Sequence, residues 1–428
     1  MSYFHSVTLD KDKCRGCTNC IKRCPTEAIR VRDGKAKIIK VRCIDCGECI
    51  RVCPYHAKRA VTDSFAELEK YKYNIALPAP SLYGQFSDVN DINVILTGLK
   101  KIGFDNVFEV ARGAEYISAA TKEIYKNRSS GSPVISSACP AVIRLIRVRF
   151  PNLVDKVIDL ISPMEAAGQL ARNEAAEKTG LSNEEIGVFF ITPCPAKMTS
   201  IKSPLTLDKS SISGAISVND VFARLFPVLG DVEPEPLMKA SMDGVYWSKS
   251  GGEADGSGIE NYIAVDGIEN VIKILEEIED DKVYGIDFIE LSACLGGCVG
   301  GVLNVVNGFV AKNKIKSITK NVPKSPAPCN DGSVSLKCTQ KLKYEPVMQL
   351  NDDFGKAMEM MDELEEIYDS LPKLDCGSCG APSCRALAED IVRGFADESF
   401  CIINMKAKLQ DLEPDYYKEK QSPESSSD

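Results

Sequence analysis

Histidine is nearly missing from this chain, with 2 residues in 428, and tryptophan occurs once. Imidazole therefore contributes little to any group of metal ligands. No apolar run approaches the length of about 18 residues that a membrane span needs, so none is expected. The opening residues MSYFHSVTLDKDK lack the apolar stretch of a secretory signal, which points to the cytoplasm and makes a disulfide framework the wrong expectation. Hydrophobic residues at 44% and charged residues at 26% exclude a disordered, collagen-like or coiled-coil chain. At roughly 150 residues per domain, the length suggests two to four domains with ample core. What the sequence has in excess is cysteine, 18 residues, and in a reducing compartment clustered cysteines hold metal more often than they form bridges.

The net charge of −9 argues against nucleic acid as a partner of the whole chain, but the charge is uneven. Residues 1–60 carry 14 Lys and Arg against 6 Asp and Glu. Two readings are open: the basic residues offset bound anionic groups, or they form a docking face for an acidic electron carrier.

The chain reads as a series of segments. Residues 1–62 are cysteine-dense with short strand-like runs, VTLD and KAKIIKV. From 72 to 318, apolar strands alternate with helical patterns, the signature of α/β architecture with parallel sheets. The strand candidates are YNIALPAP, VFEVA, PVISSAC, IGVFFITPC and FIELSAC, with a helical stretch through LTGLKKIG. Residues 319–350 read as a connector, and 351–371 as an acidic helix. In that helix Phe354, Met358, Met361, Leu364, Tyr368 and Leu371 form a stripe expected to pack into a core. Residues 373–405 hold a last cysteine group, and 406–428 read as a partly disordered tail.

Cys14, Cys17, Cys20 and Cys24 follow C-x2-C-x2-C-x3-C-P, and Cys43, Cys46, Cys49 and Cys53 repeat it. Three thiolates at such gaps wrap one face of a cubane, while the fourth, before Pro25 or Pro54, reaches the other cluster. One 4Fe-4S cluster is thus expected on Cys14, Cys17, Cys20 and Cys53, and a second on Cys43, Cys46, Cys49 and Cys24. The pair would pass single electrons. Cys376, Cys379, Cys384 and Cys401, with Gly377, Gly380 and Pro382 between them, form another four-thiolate group. Iron-sulfur or zinc suits it, and a 4Fe-4S cluster is preferred.

Six cysteines remain. Cys329 and Cys338 lie in the connector and read as free thiols. Cys139, Cys194 and Cys294 each end an apolar strand, and Cys298 follows Cys294 closely. Each alone suits a buried structural cysteine. Together they form a candidate four-thiolate set, because parallel α/β sheets bind ligands at the carboxyl ends of their strands.

Ser137-Ala138-Cys139-Pro140, Pro193-Cys194-Pro195-Ala196-Lys197 and the run from Glu290 to Cys298 resemble the three signature motifs of the iron-only (FeFe) hydrogenases. The resemblance covers about residues 75–318. It implies a two-lobed α/β catalytic domain with parallel sheets, an N-terminal bacterial-ferredoxin-like α+β domain and a small C-terminal iron-sulfur domain. It also implies an H-cluster: a 4Fe-4S cubane on Cys139, Cys194, Cys294 and Cys298, with Cys298 bridging to a diiron subsite that carries CO, CN and a dithiolate amine. With the three other clusters, that makes four 4Fe-4S clusters. Lys197 would hydrogen-bond one cyanide, and Ala79, Pro80 and Ser81 would face the other. Gly297, like Gly296, lets backbone approach the cluster. The loop SGGEADGSG, Ser250 to Gly258, falls where the family has a glycine-containing loop beside the subsite, although a flexible surface loop suits its composition as well.

The departures from the family concentrate on proton transfer. The relay cysteine usual before the first ligand is Ala138, the expected glutamate is Ser200, and the relay serine is Ile158. Two methionines that flank the diiron site are replaced by Thr192 and Ser292, which makes the pocket more polar; the position often held by tryptophan is Val142. Ala138 in particular removes a thiol of pKa about 8.5 that can exchange a proton. The combination resembles the divergent sensory hydrogenases, implying slow hydrogen oxidation and proton reduction with a role in hydrogen or redox sensing. The segments read from the sequence include no output domain, so a signal is expected to pass to a separate partner. Hydrogen and protons, a ferredoxin-like electron carrier or signalling partner, and hydrogenase maturation proteins are the implied partners. The alternatives are a ferredoxin-linked metabolic hydrogenase with a rerouted proton path, and a non-catalytic electron-transfer or cluster-assembly protein.

Overall fold

The computed structural model describes residues 3–127, 133–324 and 334–412. The chain divides into two compact units, one of Met1–Thr8, Ile44–Gly47 and Arg59–Glu345, the other of Leu9–Cys43, Glu48–Lys58 and Pro346–Asp428.

The first unit is built on two parallel sheets. One has four strands in the order Asn106–Val107, Tyr73–Pro78, Ile186–Thr192, Gly214–Ser217. The other has three, in the order Tyr262–Asp266, Phe288–Ser292, Val134–Ile135. Both faces of the larger sheet are covered, which is why its strands read as unbroken apolar runs. Ala76, Phe189 and Ile191 turn into a core with Leu82, Tyr83 and Ile95, whereas Ile75, Leu77, Val188 and Phe190 turn into another with Ile117, Ala167 and Leu170. The two-residue alternation of the strand thus feeds two separate cores.

Three expectations need correction here. In VFEVA only Val107 is in a strand; Glu109 caps a helix, Val110–Lys126, whose apolar face packs on the helix Pro163–Thr179. The Ser250–Gly258 stretch contains a helical turn, Gly252–Ser257, that is buried at Gly252, Glu253, Ala254 and Ser257. The connector is not bare linker either: Val334 and Leu336 enter a core, and Ile161 N–H donates to Leu336 O at 2.9 Å. Cys329 and the tail from 413 onward lie outside the described residues.

In the second unit the strands Ile29–Arg32 and Lys35–Ile38 form an antiparallel hairpin. Its turn residues Asp33 and Gly34 both have positive φ, +55° and +68°, as an Asp-Gly hairpin turn requires. The helices Asn19–Lys22 and Glu48–Arg51 each carry a cysteine of the two repeats. Toward the C-terminus, the helix Phe354–Ser370 packs against Cys384–Val392. The apolar stripe of the first of these is core along one end only. Leu364 and Leu371 are buried, while Phe354 is 79% exposed and Met358 50%.

Candidate metal centre

The carboxyl ends of the strands deliver the four cysteines. Ile186–Thr192 runs into Pro193 and Cys194, Phe288–Ser292 into Ala293 and Cys294, and Val134–Ile135 leads to Cys139. Cys139 and Cys194 are each the N-cap of a helix with proline at its first position, Pro140–Arg149 and Pro195–Lys202. Proline supplies a helical φ where no amide is needed, so the helix starts at the cysteine and its positive end faces the sulfur. Cys298 opens a 3-10 turn, Cys298–Gly300, and Asn304 Nδ2 donates to its carbonyl at 2.9 Å.

Lys197 sits one turn into the Pro195–Lys202 helix, and its Nζ donates to Cys298 Sγ at 3.6 Å. Burial works against the ammonium, but Cys298, Cys194, Cys139 and Cys294 together raise its pKa, so all four sulfurs lie within electrostatic reach of one cation. Burial pushes the Cys194 thiol up to about 11, with Lys197 acting in the opposite direction. Close buried thiols resist ionising together, and a metal charge among them resolves that conflict while releasing their protons.

Around these groups lies a cavity of about 70 Å³ whose wall includes Ala79, Pro80, Pro193, Ser292, Lys197 and Cys298. Ala138 and Cys139 also line it. Ser81 is fully buried beside Pro80, and its Oγ has no partner among the described residues. Gly297 has φ +91°, and a Cβ there would lie 2.6 Å from Ser250 N; at Gly301 it would lie 2.4 Å from Pro193 O. Only glycine lets these segments close around the sulfurs. Thr192 differs from expectation. Its hydroxyl is taken up by Cys194, donating to the carbonyl at 2.8 Å and accepting from the amide at 3.3 Å, so it orients a ligand candidate rather than making the pocket polar.

The positions Ala138, Ile158 and Ser200 line a second cavity, of about 260 Å³, which Lys197 also borders and to which Cys338 contributes. The three departures from the usual proton route therefore share one space.

Sequence reasoning missed two residues of the first cavity, Glu253 and Glu290. Both are buried, at 3% and 5% exposure. Glu290 accepts three backbone N–H groups, from Gly251 at 2.8 Å, Glu253 at 3.0 Å and Ala254 at 3.1 Å. Glu253 has the Ser136 hydroxyl, which donates to Oε2 at 2.5 Å, and that same Ser136 Oγ accepts from the amide of Ala138 at 3.1 Å. Burial first, then the neighbouring Glu290 charge, raises Glu253 to about 8. Burial likewise raises Glu290 to about 7, and the three amides oppose it. The amides favour ionised Glu290, so the pair's shared proton belongs on Glu253 at neutral pH. A glutamate inside the apolar strand FIELS was the available signal.

In the second unit, Cys14, Cys17, Cys20 and Cys53 line one cavity, with Val31 and Ala36 beside them; Cys24 does not line it. The Ala57 amide donates to Cys53 Sγ at 3.2 Å, and such amides lower this thiol against the opposing effect of burial. Burial pushes Cys20 up to about 11. Among the C-terminal cysteines, Cys384 and Cys401 are buried in one small core, against which Cys379 packs, whereas Cys376 is exposed. Asp375 Oδ1 accepts from the Cys384 amide at 2.6 Å, and Gly377 and Gly380 have φ of +76° and +79°. Sulfur-only donor sets fit iron-sulfur clusters in these groups, and in the N-terminal ones the amides of Ala36, Ala28 and Ala57 donate to the sulfurs of Cys14, Cys24 and Cys53.

Residues 72–252 and 231–302 match the family "Iron only hydrogenase large subunit, C-terminal domain". Residues 6–54 match the 4Fe-4S dicluster domain, and 371–403 match FeS, a family of small Fe-S cluster segments. Iron hydrogenase 1 of Clostridium pasteurianum is 24% identical over 371 residues, covering 69% of this chain and 64% of that protein. The NADP-reducing hydrogenase subunit HndD of Solidesulfovibrio fructosivorans is 24% identical over 200 residues, 45% of this chain and 31% of its own. The chain thus spans less than two thirds of the length of these relatives. The cytosolic Fe-S cluster assembly factor NAR1 of Candida dubliniensis is 25% identical over 32% of this chain and 24% of its own length. Among solved structures, a variant of the [FeFe]-hydrogenase HydA1 from Chlamydomonas reinhardtii aligns with a TM-score of 0.46 at 15% identity, covering 59% of this chain and 87% of that one.

Proposed function

Because the chain belongs to the iron-only hydrogenase large-subunit family, we propose that it holds an H-cluster and interconverts hydrogen with protons and electrons, slowly, in a hydrogen- or redox-sensing role. The observation that carries this reading is the convergence of the strand ends: Cys139, Cys298 and Lys197 line one cavity, Lys197 Nζ lies 3.6 Å from Cys298 Sγ, and Cys194 and Cys294 follow two strands whose ends, Pro193 and Ser292, line the same cavity. In this reading Cys139, Cys194, Cys294 and Cys298 would hold the cubane and Cys298 would also hold the diiron subsite, which when bound would supply redox-active iron for hydrogen and an amine base for its proton. Lys197 would anchor a cyanide by charge-assisted hydrogen bonding, and Ala79 and Pro80 of the cavity wall, with the neighbouring Ser81 hydroxyl that has no partner among the described residues, would face the other. Ser292 and the helix turn carrying Glu253 complete the wall.

Cys14, Cys17, Cys20 and Cys53, and Cys43, Cys46, Cys49 and Cys24, would hold clusters that pass single electrons toward a ferredoxin-like carrier or a signalling partner in the cytoplasm. Maturation proteins deliver the diiron subsite. Ala138 in place of a relay thiol supports slow turnover, since losing one positioned proton-transfer group typically costs about 100- to 10,000-fold in rate. The second reading, a metabolic hydrogenase with a rerouted proton path, draws support from Glu253, a carboxyl that holds a proton on the same cavity.

The test is hydrogen-dependent reduction of a viologen dye by the matured protein. Turnover well below that of the Clostridium pasteurianum enzyme supports the sensing reading, and comparable turnover supports the metabolic one. No dye reduction from a protein with its diiron subsite in place overturns both.

A further inference from the structure

The C-terminal cysteine group has no role in the scheme above, yet within the second unit it is joined to the N-terminal cysteines by contacts that span most of the sequence. Val31 borders the cavity of Cys14, Cys17, Cys20 and Cys53. Its own amide donates to Gly380 O at 2.8 Å, one residue beyond Cys379. The next residue, Arg32, donates from Nη1 to the carbonyl of Cys379 itself at 3.0 Å. Lys22, between Cys20 and Cys24, donates to the carbonyls of Asp375 and Pro382, which flank Cys376 and Cys384. At Gly380 an added Cβ would lie 2.0 Å from Val31 O, so the approach is as close as backbone permits. Two backbones paired in this way are about 5 Å apart, the spacing of neighbouring strands.

A buried charge set fixes the approach. Asp390 accepts from Arg30 Nε at 2.8 Å and from Arg32 Nη2 at 2.5 Å, all three side chains being largely buried. Arg42, just before Cys43, pairs with Glu389, donating to Oε2 at 3.0 Å. These arginines arise from the hairpin and turn of the N-terminal repeats, and both acids from the helix Cys384–Val392. Breaking such a network leaves an uncompensated buried charge, which makes the geometry costly to change.

We propose that the C-terminal group of Cys376, Cys379, Cys384 and Cys401 carries the direct electron-transfer neighbour of the cluster on Cys14, Cys17, Cys20 and Cys53, with Val31 between them and Arg30, Arg32, Lys22 and Asp390 as positioning residues. The inference rests on the iron-sulfur reading of both groups. The step moves one electron: the reduced C-terminal cluster is oxidised, the oxidised N-terminal cluster is reduced, and no bond or proton changes. The electron comes from a one-electron donor such as a reduced ferredoxin, for which dithionite substitutes in the test. Exposed Cys376 puts one edge of the C-terminal cluster at solvent, where a donor can reach it.

The experiment is electron paramagnetic resonance of the full chain, with iron and zinc analysis of the same samples. In the dithionite-reduced protein the C-terminal signal should be split or relaxation-broadened by its reduced neighbour. Cys376→Ala, at an exposed position that spares the core, should lose one cluster's iron and, with it, the matching broadening of the signal from the cluster on Cys14, Cys17, Cys20 and Cys53. If this variant does not fold, power saturation of the unaltered protein at partial and full reduction gives the same reading, with faster relaxation of the C-terminal signal once its neighbour is reduced. Four iron atoms at the C-terminal group with a signal indifferent to the neighbour's redox state would overturn the proposal and leave the iron-sulfur reading intact. Zinc or no metal at that group would overturn both.

Discussion

Glu253 is a carboxyl that accepts from the Ser136 hydroxyl, its one side-chain hydrogen-bonding partner among the described residues, in a wall shared with Lys197 and Cys298. Its pKa in the folded protein, about 8, lies above the ordinary 4.5. The stability contributed by the neutral carboxyl is therefore complete below about 4.5 and is lost as pH rises through about 8, because the unfolded chain ionises first. Thermal unfolding between about pH 4.5 and 8 should show this decline, and Glu253→Gln, which stays neutral, should flatten it. An equal slope in both proteins would contradict the assignment. At Ala138 the expectation concerns rate. Ala138→Cys returns a thiol to a position that borders both cavities and should raise dye reduction, measured on protein with equal diiron content. The gain should stay below the full range of about 100- to 10,000-fold, because Ile158 has no exchangeable proton and the Ser200 hydroxyl, unlike a carboxylate, does not ionise near neutral pH. An unchanged rate would mean that protons already travel elsewhere, with Ser136 and Glu253 the nearest candidates.

Secondary-structure elements differ in how far their residues disclose them. The strands that end in Cys194 and Cys294 are legible because burial on both faces leaves apolar runs, and cysteine followed by proline marks the turn from strand to helix. Residues 250–258 are not legible. Four glycines read as a loop, and what makes the segment helical is capture of its amides by Glu290, 36 to 39 positions away in sequence. VFEVA misleads in another way. Its β-branched residues suit a strand, but Glu109 accepts from the amides of Lys239 and Ala240 at 2.6 and 2.9 Å, and the helix starts there. The stripe of Phe354–Ser370 has helical spacing, but spacing alone does not say how much of a helix is covered. Leu364→Ala should cost about 2–5 kcal/mol in denaturant unfolding, as for a buried leucine. Met358→Ala, at an exposed position of the same helix, should stay within about 0.5 kcal/mol. Equal costs would contradict the partial burial.

For the molecule as a whole, the sequence discloses the chemistry more fully than the connections. Sixteen of the 18 cysteines fall into groups whose spacing or strand-end context announces a metal. The family match over residues 72–302 agrees with the part of the chain where the motifs lie. The basic excess of residues 1–60 resolves in part into internal pairs: Arg30 and Arg32 meet Asp390, and Arg42 meets Glu389. No local pattern relates positions some 350 residues apart, which is why the placement of the C-terminal group is a structural result. Among the described residues, no helix is long and apolar enough to cross a membrane.

The proposal that Cys139, Cys194, Cys294 and Cys298 together hold an H-cluster is open to direct measurement. Infrared spectroscopy of the anaerobically matured protein, in the carbonyl and cyanide stretching region with and without hydrogen, tests it most directly. The account predicts bands from iron-bound CO and CN that shift under hydrogen and disappear in Cys298→Ala. Absence of bands in a protein with all its four-iron clusters and confirmed exposure to the maturation proteins would contradict it.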